Sequence, residues 1–229
     1  MRNVFRKEIK YVIHESSFIG IRSQLSAFMR LDPHGYGPLG EYHVRSLYLD
    51  SAGDRDLKDN LDGVLEKRKI RIRVYSMDSP YALLEYKCKS GTDSRKMSIE
   101  ISREEAMEME NRHYECLLHH DEELATFLYN KITQNIYRPK TIVDYDRIAY
   151  LYPVSDVRIT YDYNLKGSFS HRGLYDEHIG MQPLMPPGFG VLEVKYNDFL
   201  ASPLQRIVSK LDQLPEASSK YSNARLKFY

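Results

Sequence analysis

The chain has little cysteine and no long apolar run, and these absences exclude several classes of protein. Cys88 and Cys116 are the two cysteines among 229 residues, which is too few for a disulfide framework or a zinc site. No apolar run approaches the roughly 20 residues of a membrane helix, and the N-terminus has no apolar signal core. The sequence therefore predicts a reduced, cytoplasmic protein that would reach a membrane only through a partner.

The chain also lacks an excess of charge that would indicate a partner. It contains 33 lysines and arginines against 32 aspartates and glutamates, a formal net charge of +1. This balance does not indicate nucleic acid or an anionic membrane as a ligand. The sequence has no Walker-type phosphate loop, because Gly35, Gly37, Gly188 and Gly190 fit turns. An anion site must therefore come from local sorting of charge.

Alternation of polar and apolar residues dominates the sequence, and this period is typical of strands with two different faces. We expect eight strands, over residues 5–14, 41–50, 65–76, 81–90, 94–102, 139–152, 156–164 and 190–197. We expect five helices, over residues 16–31, 54–61, 103–112, 121–137 and 204–214. Many strands with few intervening helices favour an α+β fold on an antiparallel sheet, which can be open or closed.

The strand at 65–76 shows most clearly how charge is sorted. Lys69, Arg71 and Arg73 fall on one face and Ile70 and Ile72 on the other, because successive side chains alternate. Acids and lysines share one face in three further strands, as Glu8 with Lys10, Glu85 with Lys87, and Glu193 with Lys195. A solvated amphipathic sheet explains any one of these strands. The recurrence across the set favours a shared charged surface.

A closed sheet would turn the charged faces inward, because the apolar stripes of the predicted helices must cover the apolar faces. Enclosed like charges repel and lose solvation, so a bound polyanion would supply the missing counter-charge. Arginine forks match phosphate oxygens in a bidentate way. Carboxylates suit Mg²⁺ or Mn²⁺, which also bind phosphate oxygens. The pattern therefore predicts a metal–triphosphate complex as ligand rather than nucleic acid.

Five segments in this order resemble a known family. The segments are RKEIKY at 6–11, RSLYLD at 45–50, RKIRIR at 68–73, LEYK at 84–87 and LEVKY at 192–196. They are similar to the vacuolar transporter chaperone (VTC) domain, the polyphosphate polymerase branch of the triphosphate tunnel metalloenzyme (CYTH-like) superfamily. The resemblance implies one domain over residues 1–229 with an eight-stranded antiparallel β-tunnel, a closed barrel with a charged interior flanked by helices. It also implies metal-dependent transfer of the γ-phosphate of ATP or another nucleoside triphosphate onto inorganic polyphosphate.

The resemblance further implies roles for individual residues. The catalytic cations would be Arg71, Arg73, Arg147 and Arg158. The phosphate-binding residues would be Lys10, Arg45, Lys69, Lys87, Lys89, Lys96, Lys195 and Lys220. Glu193 would hold Mn²⁺ or Mg²⁺, with Glu8 and Glu85 as weaker candidates. For Lys69 and Lys89, a solvated position at the tunnel mouth fits the pattern equally well.

One departure from the family pattern bears on the reaction. The triphosphatase branches carry Glu-x-Glu-x-Lys on the first strand, and this chain has Arg6 at the first of these positions. The change favours polymerase activity over hydrolysis, but a triphosphate hydrolase and a non-catalytic polyphosphate-binding module remain alternatives. An RNA-binding barrel is a weaker alternative, because it has little use for the acids. Coupling to a membrane would need a separate membrane-protein partner.

Overall fold

The structure is a computed structural model that describes residues 7–91, 93–211, 213–216 and 218–228. Its strands are β1 Lys7–His14, β2 Arg30–Leu31, β3 Glu41–Asp50, β4 Glu66–Val74, β5 Tyr81–Ser90, β6 Asp93–Ser102, β7 Arg138–Tyr152, β8 Val157–Ser168, β9 Gln182–Pro183 and β10 Phe189–Tyr196. Its α-helices are α1 Glu15–Phe28, α2 Arg55–Leu61, α3 Arg103–Glu110, α4 Glu123–Gln134, α5 Ser202–Val208 and α6 Lys220–Lys227. Short 3₁₀ turns lie at Glu115–His119 and Val154–Asp156. None of the helices in these ranges is long and apolar enough to span a bilayer.

The strands form one large sheet in the order β1-β10-β8-β7-β3-β4-β5-β6, with the two-residue strands β2 and β9 beside β7 and β8. The pairings β1–β10, β10–β8, β3–β4, β4–β5 and β5–β6 are antiparallel. Within the described residues no pairing joins β1 to β6, so the sheet is open. The expected α+β fold with an antiparallel sheet is confirmed, and the expected closed eight-stranded barrel is not supported.

A physical reason for an open edge is visible on β6. Arg95, Lys96 and Glu100 are exposed along this strand, and charged side chains are a common device that keeps an edge strand unpaired. Alternation in the sequence predicts which residues share a face, but it is the same for an open and a closed sheet. The sequence pattern could therefore not decide closure.

The element predictions agree with the structure apart from their ends. All eight expected strands are present, although Phe5 and Arg6 of the first lie outside the described residues. Helix α1 begins one residue earlier than expected, and its N-cap is His14, whose Nδ1 accepts a hydrogen bond from the Ser16 backbone N–H at 3.3 Å. Helix α5 ends at Val208, six residues before the expected end.

The chain divides into two compact units. The first unit contains Met1–His43, Tyr145–Leu165 and Met185–Ser219, and the second unit contains Val44–Asp144, Lys166–Leu184 and Lys220–Tyr229. That they make up one domain stays a prediction.

The first unit has its own core, which helix α1 covers. Phe18, Ile21 and Leu25 are buried on one face of this helix, and they belong to the same apolar cluster as Ile159 and Leu192 from β8 and β10. The Phe18 ring stacks on that of Tyr161 with 4.1 Å between centroids. Burying a side chain of this size contributes about 1.5–3 kcal/mol to stability. The apolar faces of these strands therefore pack against the helix.

The second unit repeats this arrangement with α3 and α4. Ile72 and Leu84 of the sheet are fully buried in one cluster with Met109 of α3 and Leu128 and Ile132 of α4. The prediction that helices cover the apolar strand faces is confirmed here. The charged side chains of β4 and β5 therefore lie on the sheet face that does not carry these apolar residues.

Candidate functional site

The charged face of the second unit is centred on Glu85. Strand register places Glu85 of β5 opposite Arg71 of β4, and Lys87 opposite both Lys69 of β4 and Lys96 of β6. Arg71 Nε donates to Glu85 Oε2 at 2.5 Å, Arg73 Nη1 lies 3.9 Å from the same oxygen, and Lys96 contacts Oε1. One carboxylate with only 2% of its surface exposed thus faces three cations.

These cations control the ionisation of Glu85. Burial raises its pKa, but Arg71, Arg73 and Lys96 outweigh burial and bring the pKa down to about 2. The carboxylate is therefore charged at any pH near neutrality. A divalent metal at Glu85 would add to an existing excess of positive charge. The surroundings of Glu85 favour an anion over a metal ion.

Strand β3 adds a group to this surface that the sequence argument missed. Tyr48 lies opposite Arg71 in the register, and its Oη accepts from Arg71 Nη1 at 3.2 Å. Burial raises the pKa of Tyr48, but Arg71, Arg73 and Lys69 lower it to about 8. The signal was the alternation Ser46-Leu47-Tyr48-Leu49-Asp50, which puts the tyrosine on the polar face.

Helix α6 packs on this part of the second unit. The Tyr221 ring stacks on Tyr48 with 5.2 Å between centroids, and Tyr221 Oη donates to Asp50 Oδ2 at 2.6 Å. Arg225 holds both oxygens of Asp54 at 2.7 and 2.8 Å. Lys220 is the first residue of this helix and is half-buried. Its phosphate-binding role stays a prediction. The helix that carries it is held in place by the contacts of Tyr221 and Arg225.

Three other predicted cations of the second unit have different surroundings. Arg45 lies on the Leu47 side of β3, where its Nε and Nη2 donate to Asp144 Oδ2 at 3.1 and 2.8 Å. Its Nη1 donates to the carbonyl of Asp176 at 2.7 Å. Lys89 is exposed near the end of β5, and Lys69 is half-buried. The phosphate-binding roles of all three stay predictions, and the contacts of Arg45 show a structural one.

The charged face of the first unit is centred on Glu193. Register places Glu193 of β10 between Lys10 of β1 and Thr160 of β8. Glu193 Oε2 accepts from Lys195 Nζ at 2.6 Å, and its Oε1 lies 3.5 Å from Lys10 Nζ. Lys10 Nζ also lies 3.1 Å from Glu8 Oε1. Two carboxylates and two ammonium groups thus balance each other.

The two lysines respond differently to this environment. Burial lowers the pKa of Lys10, but Glu193 and Glu8 outweigh it, and the net shift is upward. Burial also lowers the pKa of Lys195, and there the nearby Arg147 adds to burial, so the net shift is downward despite Glu193. Lys10 is therefore the more firmly charged of the two partners of Glu193.

The predicted catalytic arginines of the first unit also have carboxylate partners. Arg147 forms a two-pronged pair with the fully buried Asp162, Nε to Oδ1 at 2.6 Å and Nη2 to Oδ2 at 2.8 Å. Arg158 Nη2 donates to Asp32 Oδ2 at 3.0 Å and to Tyr42 Oη at 2.9 Å. The roles of these arginines stay predictions, and the sequence argument had identified neither partner.

The first unit also holds the acids that suit a metal best. Within the described ranges no group of three or more His, Cys, Asp and Glu side chains is placed to hold a metal ion. Glu8 and Glu193, however, both approach Lys10 Nζ, so two hard oxygen donors lie on either side of an ammonium group that a metal ion would have to displace. Mg²⁺ is commonly held by one or two carboxylates, with water and substrate phosphates completing the shell. Glu193 and Glu8 can supply two such donors, whereas Glu85 faces three cations, and the metal assignments of all three stay predictions.

Solved structures share this α+β fold with a large antiparallel sheet. A candidate adenylate cyclase from Bacillus halodurans has this fold, with a TM-score of 0.55 and 13% identity over 94% of this chain and 96% of that one. A second candidate adenylate cyclase, from Vibrio parahaemolyticus, has a TM-score of 0.51 and 12% identity over 97% and 98%. A Pyrococcus horikoshii protein has a TM-score of 0.50 and 14% identity over 98% and 100%. At these identities the likeness shows the fold alone.

The family of the chain follows from its sequence. The VTC domain model matches residues 5–229, so the chain belongs to the VTC domain family. No curated protein matches the chain. The resemblance inferred from the five segments is therefore confirmed.

Proposed function

We propose that this protein is a metal-dependent polyphosphate polymerase that transfers the γ-phosphate of ATP or another nucleoside triphosphate onto inorganic polyphosphate. The observation that carries the proposal is the Glu85 cluster. One buried carboxylate there is surrounded by Arg71, Arg73 and Lys96, and the register places Lys69 directly opposite Lys87. A phosphate chain offers several charged oxygens to such a row of cations at once.

The reaction asks for alignment and charge neutralisation more than for covalent chemistry by the protein. The terminal phosphate oxygen of the acceptor would form a bond to the γ-phosphorus, while the bond from that phosphorus to the bridging oxygen breaks and releases the nucleoside diphosphate. Arg71 and Arg73 would stabilise the charge that develops on the transferred group. No nucleophilic side chain is needed, because the acceptor phosphate is already an anion.

The Glu193 cluster has a different role in this proposal. Glu193, with Glu8 beside it, would hold Mn²⁺ or Mg²⁺ in the first unit. The ion, when bound, neutralises phosphate oxygens as a Lewis acid. Lys10, whose pKa is raised by Glu193 and Glu8 against the effect of burial, stays charged and would bind a phosphate oxygen.

The departure at Arg6 supports transfer over hydrolysis. One acid of the Glu-x-Glu-x-Lys pattern of triphosphatases is replaced by a cation, which leaves fewer carboxylates for metals and adds a group that binds phosphate. Docking of the protein at the inner face of a membrane through a membrane-protein partner belongs to the same proposal.

The proposal is tested by incubating the full chain with ATP and MnCl₂ and resolving the products on a polyacrylamide gel. We expect long polyphosphate chains. Free phosphate without chains would show a hydrolase, and tight binding of polyphosphate without turnover would show a non-catalytic module. Glu193→Ala should abolish synthesis, whereas Glu177→Ala, at an exposed loop position, should leave it unchanged. Full synthesis by Glu193→Ala would refute the metal assignment.

A further inference from the structure

A basic cavity in the second unit is lined by residues outside the Glu85 cluster. Its volume is about 420 Å³, within the range of roughly 300–1,000 Å³ that small-molecule sites occupy. Its cationic lining residues are Arg112, Arg138, Lys140 and Arg225. Phe169, Phe228 and His171 also line it. None of these residues belongs to the Glu85 or the Glu193 cluster.

The four cations of this cavity differ in their acidic partners. Asp54 accepts from Arg225 at 2.7 and 2.8 Å and lies 2.8 Å from Lys140 Nζ. Arg112 and Arg138 form no ion pair with a carboxylate in the part of the chain that the structure describes. Among the described residues, Asp54 is the acid that pairs with Lys140 and Arg225, and the positive charge of Arg112 and Arg138 favours an anion with several charges.

The surroundings of His171 are consistent with this excess charge. Burial lowers the pKa of His171, and Arg112, Arg172 and Lys140 lower it further. The imidazole is therefore neutral at pH 7, and its ring nitrogens can hydrogen-bond a ligand without adding charge. A further positive charge at His171 is therefore unfavourable, because Arg112 and Lys140 already place positive charge beside it.

An aromatic wall accompanies the cations. Phe169 is 73% exposed, and its ring meets that of Phe228 edge to face with 5.8 Å between centroids. Most of a large apolar ring is left uncovered beside the guanidinium groups. A flat aromatic group placed against Phe169 would remove this apolar surface from water.

The segment that carries Phe169 and His171 is held in place by its backbone. Glu110 accepts hydrogen bonds from the N–H groups of Gly173 and Leu174 at 2.7 and 2.9 Å. From the other side, Arg45 donates to the carbonyl of Asp176. The backbone that follows His171 is therefore fixed by contacts on two sides, which limits the conformational freedom of this segment and reduces the entropy cost of ordering it around a ligand.

We propose that this cavity binds a nucleoside polyphosphate, with the phosphates on Arg112, Arg138 and Lys140 and the base against Phe169. Arginine forks match phosphate oxygens, and aromatic side chains stack on bases of any identity. The proposal does not depend on the polymerase activity, because it concerns a separate cavity with its own lining.

Isothermal titration of ATP into the full chain in EDTA tests the proposal, since the chelator removes the metal that phosphoryl transfer needs. We expect Arg112→Ala/Arg138→Ala to weaken ATP binding at this cavity by about tenfold or more, because hydrogen bonds to charged groups are lost. Phe169→Ala should weaken ATP binding by about tenfold, through lost stacking, and leave tripolyphosphate binding unchanged. Arg206→Ala and Phe199→Ala are matched controls at exposed positions outside the cavity.

The result also separates this proposal from the polymerase. If both proposals hold, wild type binds two ATP molecules, and the cavity variants bind one of them with unchanged affinity and the other about tenfold more weakly. If only the cavity binds ATP, wild type binds one molecule and the variants bind it about tenfold more weakly. ATP isotherms of the cavity variants identical to that of wild type would overturn the proposal, as would equal effects of Phe169→Ala on ATP and tripolyphosphate.

A second measurement on the wild-type chain covers the case in which a variant does not fold. Photolabelling with 8-azido-ATP, followed by trypsin, should mark the peptide 167–172, which contains Phe169 and His171. Competition by excess ATP should remove the label. Absence of label from this peptide would contradict the proposal.

Discussion

The clusters around Glu85 and Glu193 arise from the same strand pattern but differ in charge balance. In the second unit, the acid of Leu84-Glu85-Tyr86-Lys87 meets Arg71, Arg73 and Lys96. In the first unit, the acid of Leu192-Glu193-Val194-Lys195 meets two lysines and lies near a second acid, Glu8. The first arrangement suits a polyanion, and the second suits a hard cation.

The difference comes from neighbouring strands rather than from the motif itself. Glu85 lies between β4 and β6, which contribute arginines and a lysine. Glu193 lies between β1 and β8, which contribute Lys10 and a threonine. A strand motif therefore has no fixed chemistry, because its partners in the register determine the local charge.

The largest effect is expected from a substitution that breaks the Glu85 cluster. Glu85→Ala should lower the free energy of unfolding by about 3–5 kcal/mol, because buried Arg73 loses its counter-charge. Urea titration measures the loss, and Glu100→Ala at an exposed position of β6 is the control. Added tripolyphosphate should stabilise the variant more than wild type. Equal stabilisation of both proteins would contradict an anion-binding surface.

Asp56 provides a contrast with Glu85, because it is also a buried carboxylate of the second unit but burial dominates the shift of its pKa. Burial raises its pKa to about 6, despite a hydrogen bond from Tyr137 Oη at 2.7 Å. The folded-state pKa lies above the unfolded value of 3.8, so stability falls as pH rises through 6. Asp56→Asn should stabilise the protein by about 3 kcal/mol at pH 7.5 and by roughly half as much at pH 5.

Urea midpoints at the two pH values measure this effect. Asp62→Asn, at an exposed position, should change neither midpoint. An advantage of Asp56→Asn that is the same at pH 5 and 7.5 would show that Asp56 is not the titrating group.

The two clusters should also separate in binding. Arg71→Ala should weaken metal-free tripolyphosphate binding by about tenfold, equivalent to about 1.4 kcal/mol, because a charged donor is lost. Glu193→Gln should leave that affinity unchanged or improve it, and should instead weaken Mn²⁺ binding. Calorimetry with each ligand measures both. The opposite pattern would exchange the roles assigned to the two clusters.

The smallest effect is expected at Lys96, the exposed member of the Glu85 cluster. Its side chain is 50% exposed, so solvent screens its contact with Glu85. Lys96→Gln should lower stability by less than about 1 kcal/mol, and the loss should shrink as salt is added. A loss as large as that of Glu85→Ala would show that screening at this position is weak.

Alternation predicted the faces of the strands because it is a local property. Ile72 and Leu84 are fully buried while Arg71 reaches Glu85, as the pattern required. The ion partners were not predictable in the same way. Asp162 reaches Arg147 from the next long strand, and Asp32 reaches Arg158 across 126 residues of sequence. Such partners depend on the tertiary fold and leave no spacing in the sequence.

The cavity beside Phe169 shows the same limit. Its lining comes from four separate stretches, including Arg112, Lys140 and Arg225, and none of them is a motif. Phe169 and His171 lie between the predicted strands 156–164 and 190–197, in a stretch where no strand or helix was predicted. Only the folded second unit brings these groups together.

The hold that Arg45 and Glu110 exert on residues 173–176 has a consequence for how this segment can vary. Arg45 binds a carbonyl oxygen and Glu110 binds two amide hydrogens, so both contacts depend on the position of the backbone. Gly173 has a φ of +104° and Leu174 is buried, so substitutions in this segment should be tolerated best at the exposed Asp176. Adding or removing a single residue would place a different backbone group beside each of these side chains, so relatives should agree in the length of this segment.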